Sequence, residues 1–278
     1  MQLSCSLPCN IAPNQKTLGV AFNGTGYGTD GKIWGGEFFI CNTKSFKRLA
    51  HLDYVKMPGG EKAVEEPWRI AVAYLYQSFE KGLYTEDDAK NIIFNLYGNK
   101  ALTLWSIIKV NLNCTETSSM GRFFDAASSI IGIRDFVSYE GQASIELEAL
   151  IPNLINSKSY SYELIKSDFG HVIDVSQTIK ELVKDRQMNV PKEICSLKFH
   201  NTVVNFTVNM CKNISDTTGI NEVVLSGGVF QNSYLLNNIT TELKNNNFTI
   251  YTNKIIPAND GGISLGQIII ANENTDCV

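Results

Sequence analysis

The sequence predicts an α/β fold, because strand-like and helix-like segments alternate along its C-terminal third. These segments are, in the order strand, helix, strand and helix, residues 222–226, 230–245, 248–252 and 261–272. Two further features agree with this class: a glycine-rich hairpin region at about residues 18–60 and a largely helical middle. A chain of 278 residues with 44% hydrophobic content is also long enough to bury a sizeable core.

The first region is predicted to be a β-hairpin with a glycine-rich connection. An apolar run, Leu18 to Phe22, enters the connection, and a second strand, Glu37 to Cys41, leaves it. Residues 24–36 contain six glycines, which is more than a hairpin needs. We therefore expect the backbone there to approach a ligand closely, and a flexible surface loop is the alternative.

Apolar residues at three- and four-residue spacing predict helices through the middle of the chain. These helices cover residues 65–82, 85–97, 101–110 and about 192–213. Residues 117–132 share the spacing, and Asp125 within them is expected to face a cleft. The polar residues 152–190 contain only short strand-like pieces, and we expect them to be an insertion within one domain.

A turn with two glycines follows the apolar strand 222–226 and is the strongest sign of ligand binding. Gly227 and Gly228 place side-chain-free backbone between that strand and a helix beginning near Phe230. Backbone amides in such a turn can approach an anion, and the helix dipole favours the same charge. An ordinary tight strand-to-helix turn is the alternative, since short glycine motifs are weak signals.

A second acid–glycine segment lies near the C-terminus. Asp260 precedes two glycines and an apolar, helix-like tail. An aspartate at this place is predicted either to cap the helix or to hold a metal, and capping is the more common use.

Composition and charge exclude several classes of protein. The net charge is −4, and the basic residues are spread along the chain, so there is no electrostatic footprint for nucleic acid. No run approaches the roughly 18 apolar residues that a membrane helix needs. Seven cysteines are scattered as single residues, and the N-terminus lacks a basic leader. These features predict reduced thiols in the cytoplasm.

Four segments of the chain, in their order, resemble the C-terminal region of the HypF carbamoyltransferases of hydrogenase maturation. They are residues 20–37, 117–146, 225–232 and 257–266, and the resemblance runs from about Leu18 to Ala271. The region is also similar to the threonylcarbamoyl transferases of tRNA modification. Both families resemble actin, hexokinase and the sugar kinases. The resemblance therefore implies two ribonuclease-H-like lobes that close over a nucleotide.

The same resemblance divides the chain and assigns its site residues. It implies a divergent segment at residues 1–16 and a carbamoyltransferase domain at residues 17–278 whose first lobe is incomplete. The implied ligand is ATP, AMP or carbamoyl adenylate. Its implied contacts are a first-lobe phosphate turn (Gly24, Thr25, Gly26), two carboxylates for the ribose hydroxyls (Asp125, Glu146) and a second-lobe group (Gly227, Gly228, Asn232). His200 is expected to be a packed helix residue rather than a general base.

The implied reaction moves the carbamoyl group from carbamoyl adenylate to the C-terminal cysteine of a HypE-like partner. In the family, iron or zinc is held by a His-x-x-x-His pair and two aspartates, one of which matches Asp260. Asn23 stands where the other aspartate is expected, and His51, His171 and His200 lack the paired spacing. A carboxamide is a poorer ligand for such cations than a carboxylate, so a metal is doubtful here.

Three hypotheses follow from these matches and departures. The leading one is a HypF-type domain, an incomplete or split copy that is weak or inactive alone and whose missing domains a separate chain supplies. The second is a non-catalytic nucleotide-binding or scaffold protein derived from that domain. The third, a sugar- or acetate-kinase relative, is disfavoured because Asn23 replaces the aspartate expected in the first turn.

Overall fold

The chain folds around one mixed β-sheet. The computed structural model describes residues 15–152, 158–167, 170–253 and 256–273, so the segment 1–16 lies almost wholly outside the described residues. The strands are β1 (Thr17–Tyr27), β2 (Ile33–Cys41), β3 (Phe46–Leu52), β4 (Val55–Pro58), β5 (Cys114–Thr117), β6 (Glu163–Ser167), β7 (Gly170–Asp174), β8 (Glu222–Ser226) and β9 (Thr249–Thr252).

Helices pack on this sheet and connect its strands. They are α1 (Lys62–Glu65), α2 (Pro67–Glu80), α3 (Glu86–Tyr97), α4 (Asn99–Lys109), α5 (Met120–Ile131), α6 (Gln142–Ala149), α7 (Ser176–Gln187), α8 (Lys192–Thr218), α9 (Ser233–Asn245) and α10 (Ile263–Glu273). Two short 3-10 turns, Gly228–Gln231 and Asp260–Gly262, precede α9 and α10. The predicted helical middle is confirmed.

The sheet has the order β6-β7-β3-β2-β1-β8-β9, and β5 pairs with both β2 and β4. Strands β1, β2 and β3 form an antiparallel meander, whereas β8 and β9 run parallel to β1. This arrangement of three antiparallel and two parallel strands is that of a ribonuclease-H-like lobe. The α/β class and the actin-like fold are therefore confirmed, and the described residues build one such sheet.

The predicted hairpin is present, but its glycines lie mostly within strands. Pairing continues from Gly26 opposite Trp34, after an irregularity that follows Phe22 opposite Gly36. A Cβ added at Gly26 would lie 2.9 Å from the Trp34 carbonyl oxygen, and one at Gly36 would lie 2.5 Å from that of Ser118. These glycines therefore allow close strand packing, and the predicted broad loop is wrong.

The strand-like pieces predicted within residues 152–190 are strands at the edge of the sheet. β7 pairs in parallel with β3, and β6 pairs antiparallel with β7, so this region extends one edge of the sheet. Ile173 in β7 is fully buried in the main core. The predicted short strands are therefore confirmed, and that the region is an insertion stays a prediction.

Helix α5 carries the residues that matter most for the site. Ser119 caps its first turn by accepting from the Arg122 backbone N–H, at 3.1 Å. Every one of the twelve residues of α5 is buried, including Arg122 and Asp125. Its C-terminus ends at Gly132, which adopts the left-handed conformation with φ of +83°.

Helix α8 is longer than predicted. It continues to Thr218 and ends at Gly219, whose left-handed backbone terminates it. Across the described ranges, no helix combines the length and the apolar character that crossing a bilayer requires.

Candidate functional site

A cleft of about 650 Å³ lies beyond the last residue pair of the parallel strands β1 and β8, Ala21 with Ser226. Ligands of open α/β sheets commonly bind outside the carboxyl ends of the strands. The cleft walls come from parts of residues 23–25, 121–124, 140–148, 228–232 and 259–261. All four segments that carried the sequence resemblance therefore meet at one place.

The turn with two glycines forms one wall, but its first role is structural. Gly227 has a φ of +113°, and a Cβ there would collide with the Phe22 carbonyl oxygen. Its N–H donates to the Ala258 carbonyl at 3.1 Å, and the Gly228 N–H donates to Asn23 Oδ1 at 2.8 Å. A close approach of this backbone to a ligand was predicted, and the structure shows a close approach to strand β1. The amides of Gly227 and Gly228 both donate to acceptors within the protein.

The helix that was expected to begin near Phe230 begins at Ser233, after a 3-10 turn. Its positive end already faces a carboxylate: Glu148 Oε1 accepts from the backbone N–H groups of Ser233 and Tyr234, at 2.8 and 3.2 Å. Asn232 caps the same helix, because its Oδ1 accepts from Leu235 N–H at 2.9 Å. The dipole of α9 is therefore balanced by protein groups.

The predicted first-lobe turn is divided between two cavities. Gly24 and Thr25 line the cleft, whereas Gly26 lines a separate cavity of about 370 Å³ together with Trp34. Helix α5 packs directly on the turn, since a Cβ added at Gly121 would lie 2.8 Å from the Gly24 Cα atom. The cleft floor is therefore the contact between β1 and the N-terminus of α5.

Asp125 and Glu146 do not line the cleft. Asp125 is 3% exposed and lies 2.9 Å from Arg122 Nη2. Burial raises the pKa of Asp125 to about 6, although Arg122 opposes the shift. Glu146 pairs with Arg134 at 2.6 Å and accepts from Gln142, and the bond to Arg134 lowers its pKa. Asp125 was expected to face the cleft, but on this helix Gly121, Arg122 and Phe124 line it, whereas the Asp125 carboxylate is buried beside Arg122.

Asp260 lies at the cleft beside Asn259 and Gly261. It belongs to the 3-10 turn before α10, and Asn259 rather than Asp260 caps that turn by accepting from Gly261 N–H at 3.1 Å. The described ranges contain no group of three His, Cys, Asp or Glu side chains that could hold a metal ion. Asn23 Oδ1 already accepts from Gly228. These residues do not fit the iron or zinc of the family.

Three charged residues of the cleft were not singled out from the sequence. They are Arg122, Glu140 and Glu148, and all three line the cavity. Arg122 precedes Asp125 by three residues, which places both on one face of a helix. This spacing is the signal that could have identified the Arg122–Asp125 pair from the sequence. Glu140 and Glu148 carry no such signal, because they resemble ordinary solvated glutamates.

His200 is a packed helix residue, as predicted. It is fully buried, its Nδ1 donates to the Ser196 carbonyl at 2.8 Å, and its Nε2 lies 3.0 Å from Asn232 Nδ2. Because Asn232 offers a donor, Nε2 must be the unprotonated acceptor. Burial lowers the pKa of His200 to about 4, so the ring stays neutral and holds Asn232 at the cleft wall.

A family model described as "Carbamoyltransferase, Kae1-like Domain, second subdomain" matches residues 19–267. The chain belongs to the HypF carbamoyltransferase family. The matched subdomain agrees with the single ribonuclease-H-like sheet of the fold. The family resemblance of the sequence is therefore confirmed.

The chain is also similar in sequence and structure to individual HypF proteins. The chain is 34% identical to carbamoyltransferase HypF of Synechocystis sp. over 92% of its own length and 34% of that protein. It is 29% identical to a HypF homolog of Cupriavidus necator, of which it covers 65%. A crystal structure of full-length HypF in a phosphate- and nucleotide-bound form is 41% identical, with a TM-score of 0.89 over 98% of this chain and 34% of that one. The chain thus spans about a third of most HypF proteins that it matches.

Proposed function

We propose that this chain forms the nucleotide-binding half of a carbamoyl transfer centre of the HypF type. Carbamoyl adenylate would bind in the 650 Å³ cleft, and its carbamoyl group would pass to the C-terminal cysteine of a HypE-like protein. The observation that carries the proposal is the convergence of all four family-like segments on this one cleft.

The transfer needs a thiolate, a carbonyl carbon and a leaving phosphate. The thiolate of the partner attacks the carbamoyl carbon and forms a C–S bond, and the bond from that carbon to the phosphate oxygen breaks. AMP leaves with the electron pair. The chain's own contribution is to orient the adenylate, since the bond from Gly228 to Asn23 fixes the spacing of two cleft walls.

The missing parts of the machinery would come from elsewhere. The chain covers about a third of full-length HypF, and we propose that the residues corresponding to the other two thirds make carbamoyl adenylate from ATP. We also place the protein in the cytoplasm. This location is supported by the free thiols of Cys41, Cys114, Cys195 and Cys211.

Mass spectrometry of a HypE-like protein tests the transfer. Preformed carbamoyl adenylate with this chain alone should give at most a trace of carbamoylated cysteine. Addition of a chain that carries the other HypF domains should give rapid transfer, and Asp260→Ala at the cleft should reduce it. Glu116→Ala, on β5 and outside the cleft, is the matched control. Absence of transfer with the complete set of domains would contradict the proposal.

A non-catalytic nucleotide-binding or scaffold protein is the second candidate. This candidate is favoured because the Gly228 amide already donates to Asn23 and the N-terminus of α9 already donates to Glu148. These amides are therefore less available to bind a phosphate. NMR titration with AMP separates the two candidates when combined with the transfer assay. Saturable AMP binding with no transfer in the presence of all domains would establish the second.

A further inference from the structure

Arg122 is buried in an unusual way. It is only 4% exposed, yet its Nε and Nη1 atoms have no hydrogen-bond partner among the described residues. Its Nη2 atom lies 2.9 Å from Asp125 Oδ2, but this ion pair lacks hydrogen-bond geometry, so Asp125 Oδ2 is also unsatisfied. Leaving such groups without partners costs roughly 1–3 kcal/mol each. A structural role alone does not account for that cost.

The guanidinium of Arg122 borders a small gap in the cleft floor. A Cβ added at Gly24 would lie 3.6 Å from Arg122 Nη2 and 3.7 Å from Glu140 Oε1. A group of a few atoms that rests on Gly24 is therefore within reach of both a donor and an acceptor. All three residues line the same cleft. The absence of a side chain at Gly24 is what keeps the gap open.

The pair of a cation and an anion selects among small ligand groups. A phosphate oxygen would be attracted by Arg122 but repelled by Glu140, and an acetyl group has no donor for Glu140. A primary amide satisfies both, since its carbonyl oxygen accepts and its amino group donates. A carbamoyl group is such an amide.

We propose that Arg122 and Glu140 bind the carbamoyl group of the substrate, Arg122 through its carbonyl oxygen and Glu140 through its amino group. This assignment rests on the proposed function. During thiolate attack, negative charge develops on the carbonyl oxygen, and Arg122 stabilises it where water is excluded. Collapse of the tetrahedral intermediate restores the C=O bond and expels AMP. Asp125 holds the guanidinium in position from behind.

The test compares the affinities of three ligands by NMR titration: AMP, acetyl adenylate and a non-hydrolysable analogue of carbamoyl adenylate. The wild-type chain should prefer the carbamoyl analogue over acetyl adenylate by about threefold to tenfold, because its amino group donates to the solvent-exposed Glu140 carboxylate and acetyl adenylate has no donor there. Glu140→Ala should abolish that preference and leave AMP affinity unchanged.

A methyl group added to the gap gives a second, steric test. Gly24→Ala meets no atom closer than 3.6 Å, so the protein should fold, and the methyl group should weaken the carbamoyl analogue much more than AMP. Gly228→Ala also adds a methyl group to the cleft, 3.8 Å from Asn23 Oδ1, and should weaken all three ligands equally. For Arg122 the variant is R122M combined with D125N, which removes both members of the buried ion pair and should weaken the carbamoyl analogue and acetyl adenylate alike relative to AMP, because both offer the same carbonyl oxygen.

The outcomes separate the two proposals. Equal weakening of all three ligands by Glu140→Ala would assign the pair to the ribose or adenine and overturn the carbamoyl assignment. Binding of adenylates by the wild-type chain without any preference would overturn it and leave the proposed function standing. No binding of any adenylate would overturn both.

Discussion

Acidification from pH 7 to pH 5 should affect the stability of two single variants, H200Q and D125N, in opposite directions relative to wild type. Both native side chains are buried, His200 completely and Asp125 to all but 3%. Burial lowers the pKa of His200 from 6.5 to about 4, and it raises the pKa of Asp125 from 3.8 to about 6. Each shift disfavours the charged form of the group.

The signs follow from where the proton binds first. His200 has a lowered pKa in the folded state, so as the pH falls from 6.5 the unfolded chain takes up the proton first and stability is lost; the loss between pH 7 and pH 5 is about 2 kcal/mol. Asp125 has a raised pKa, so the folded chain takes up the proton first and stability is gained, by about 1 kcal/mol over the same interval. In the wild-type protein the two effects largely cancel.

Urea unfolding, followed by tryptophan fluorescence at both pH values, measures these contributions. On going from pH 7 to pH 5, H200Q should lose about 2 kcal/mol less stability than wild type. D125N should lose about 1 kcal/mol more stability than wild type. The constant cost of each substitution cancels, because the comparison is between two pH values of one variant. If the change in unfolding free energy between pH 7 and pH 5 were the same in both variants as in wild type, the assignment of these pKa shifts to burial would be refuted.

Three further perturbations test the site and its support. Gly227→Ala should lower the unfolding free energy by at least about 2 kcal/mol in thermal unfolding, because of its φ of +113° and the collision with the Phe22 carbonyl; an unchanged Tm would contradict the packing argument. Glu37→Gln should cost about 2 kcal/mol in urea, because it removes the buried carboxylate 3.2 Å from Arg48 and leaves Arg48 only the more exposed Asp30 at 3.3 Å; a cost below about 0.5 kcal/mol would show that the Glu37 pair is solvated. Asn23→Asp should not create a metal site, and elemental analysis that finds one iron or zinc per chain would show that the described donors are not the full set.

Periodicity and turn chemistry predicted most of the architecture. The helical middle was visible because α2, α3 and α4 each bury one apolar face or more, and the strand β8 with its turn was visible from three apolar residues and two glycines. The strands β6 and β7 were visible as short pieces, but their place at the edge of the sheet was not, because a short edge strand pairs with its neighbour β3 and no local pattern names that neighbour.

The functional site was predicted at the level of segments and less well at the level of residues. A glycine in a sequence signals close approach, but only the fold shows that Gly227 approaches Phe22 rather than a ligand. Likewise, Arg122 and Glu140 both lie near Gly24 although the three residues are far apart in the sequence, and no local pattern encodes this placement. Roles carried over from the family for Asp125 and Glu146 stay predictions, and both side chains are engaged with arginines in this structure.

The pairing of β1 with β8 has a consequence for how the protein comes to be folded. Leu18 pairs with Val223, and Asn23 accepts from the Gly228 amide, so the cleft joins residues about two hundred positions apart. Contacts of such long range form slowly, because the chain must close a large loop before any of them is gained. During synthesis the hairpin would emerge long before β8. Phe22 stacks on Phe230 in the folded protein. Its apolar side chain therefore stays exposed, or makes temporary contacts, until the last third of the chain has been synthesised.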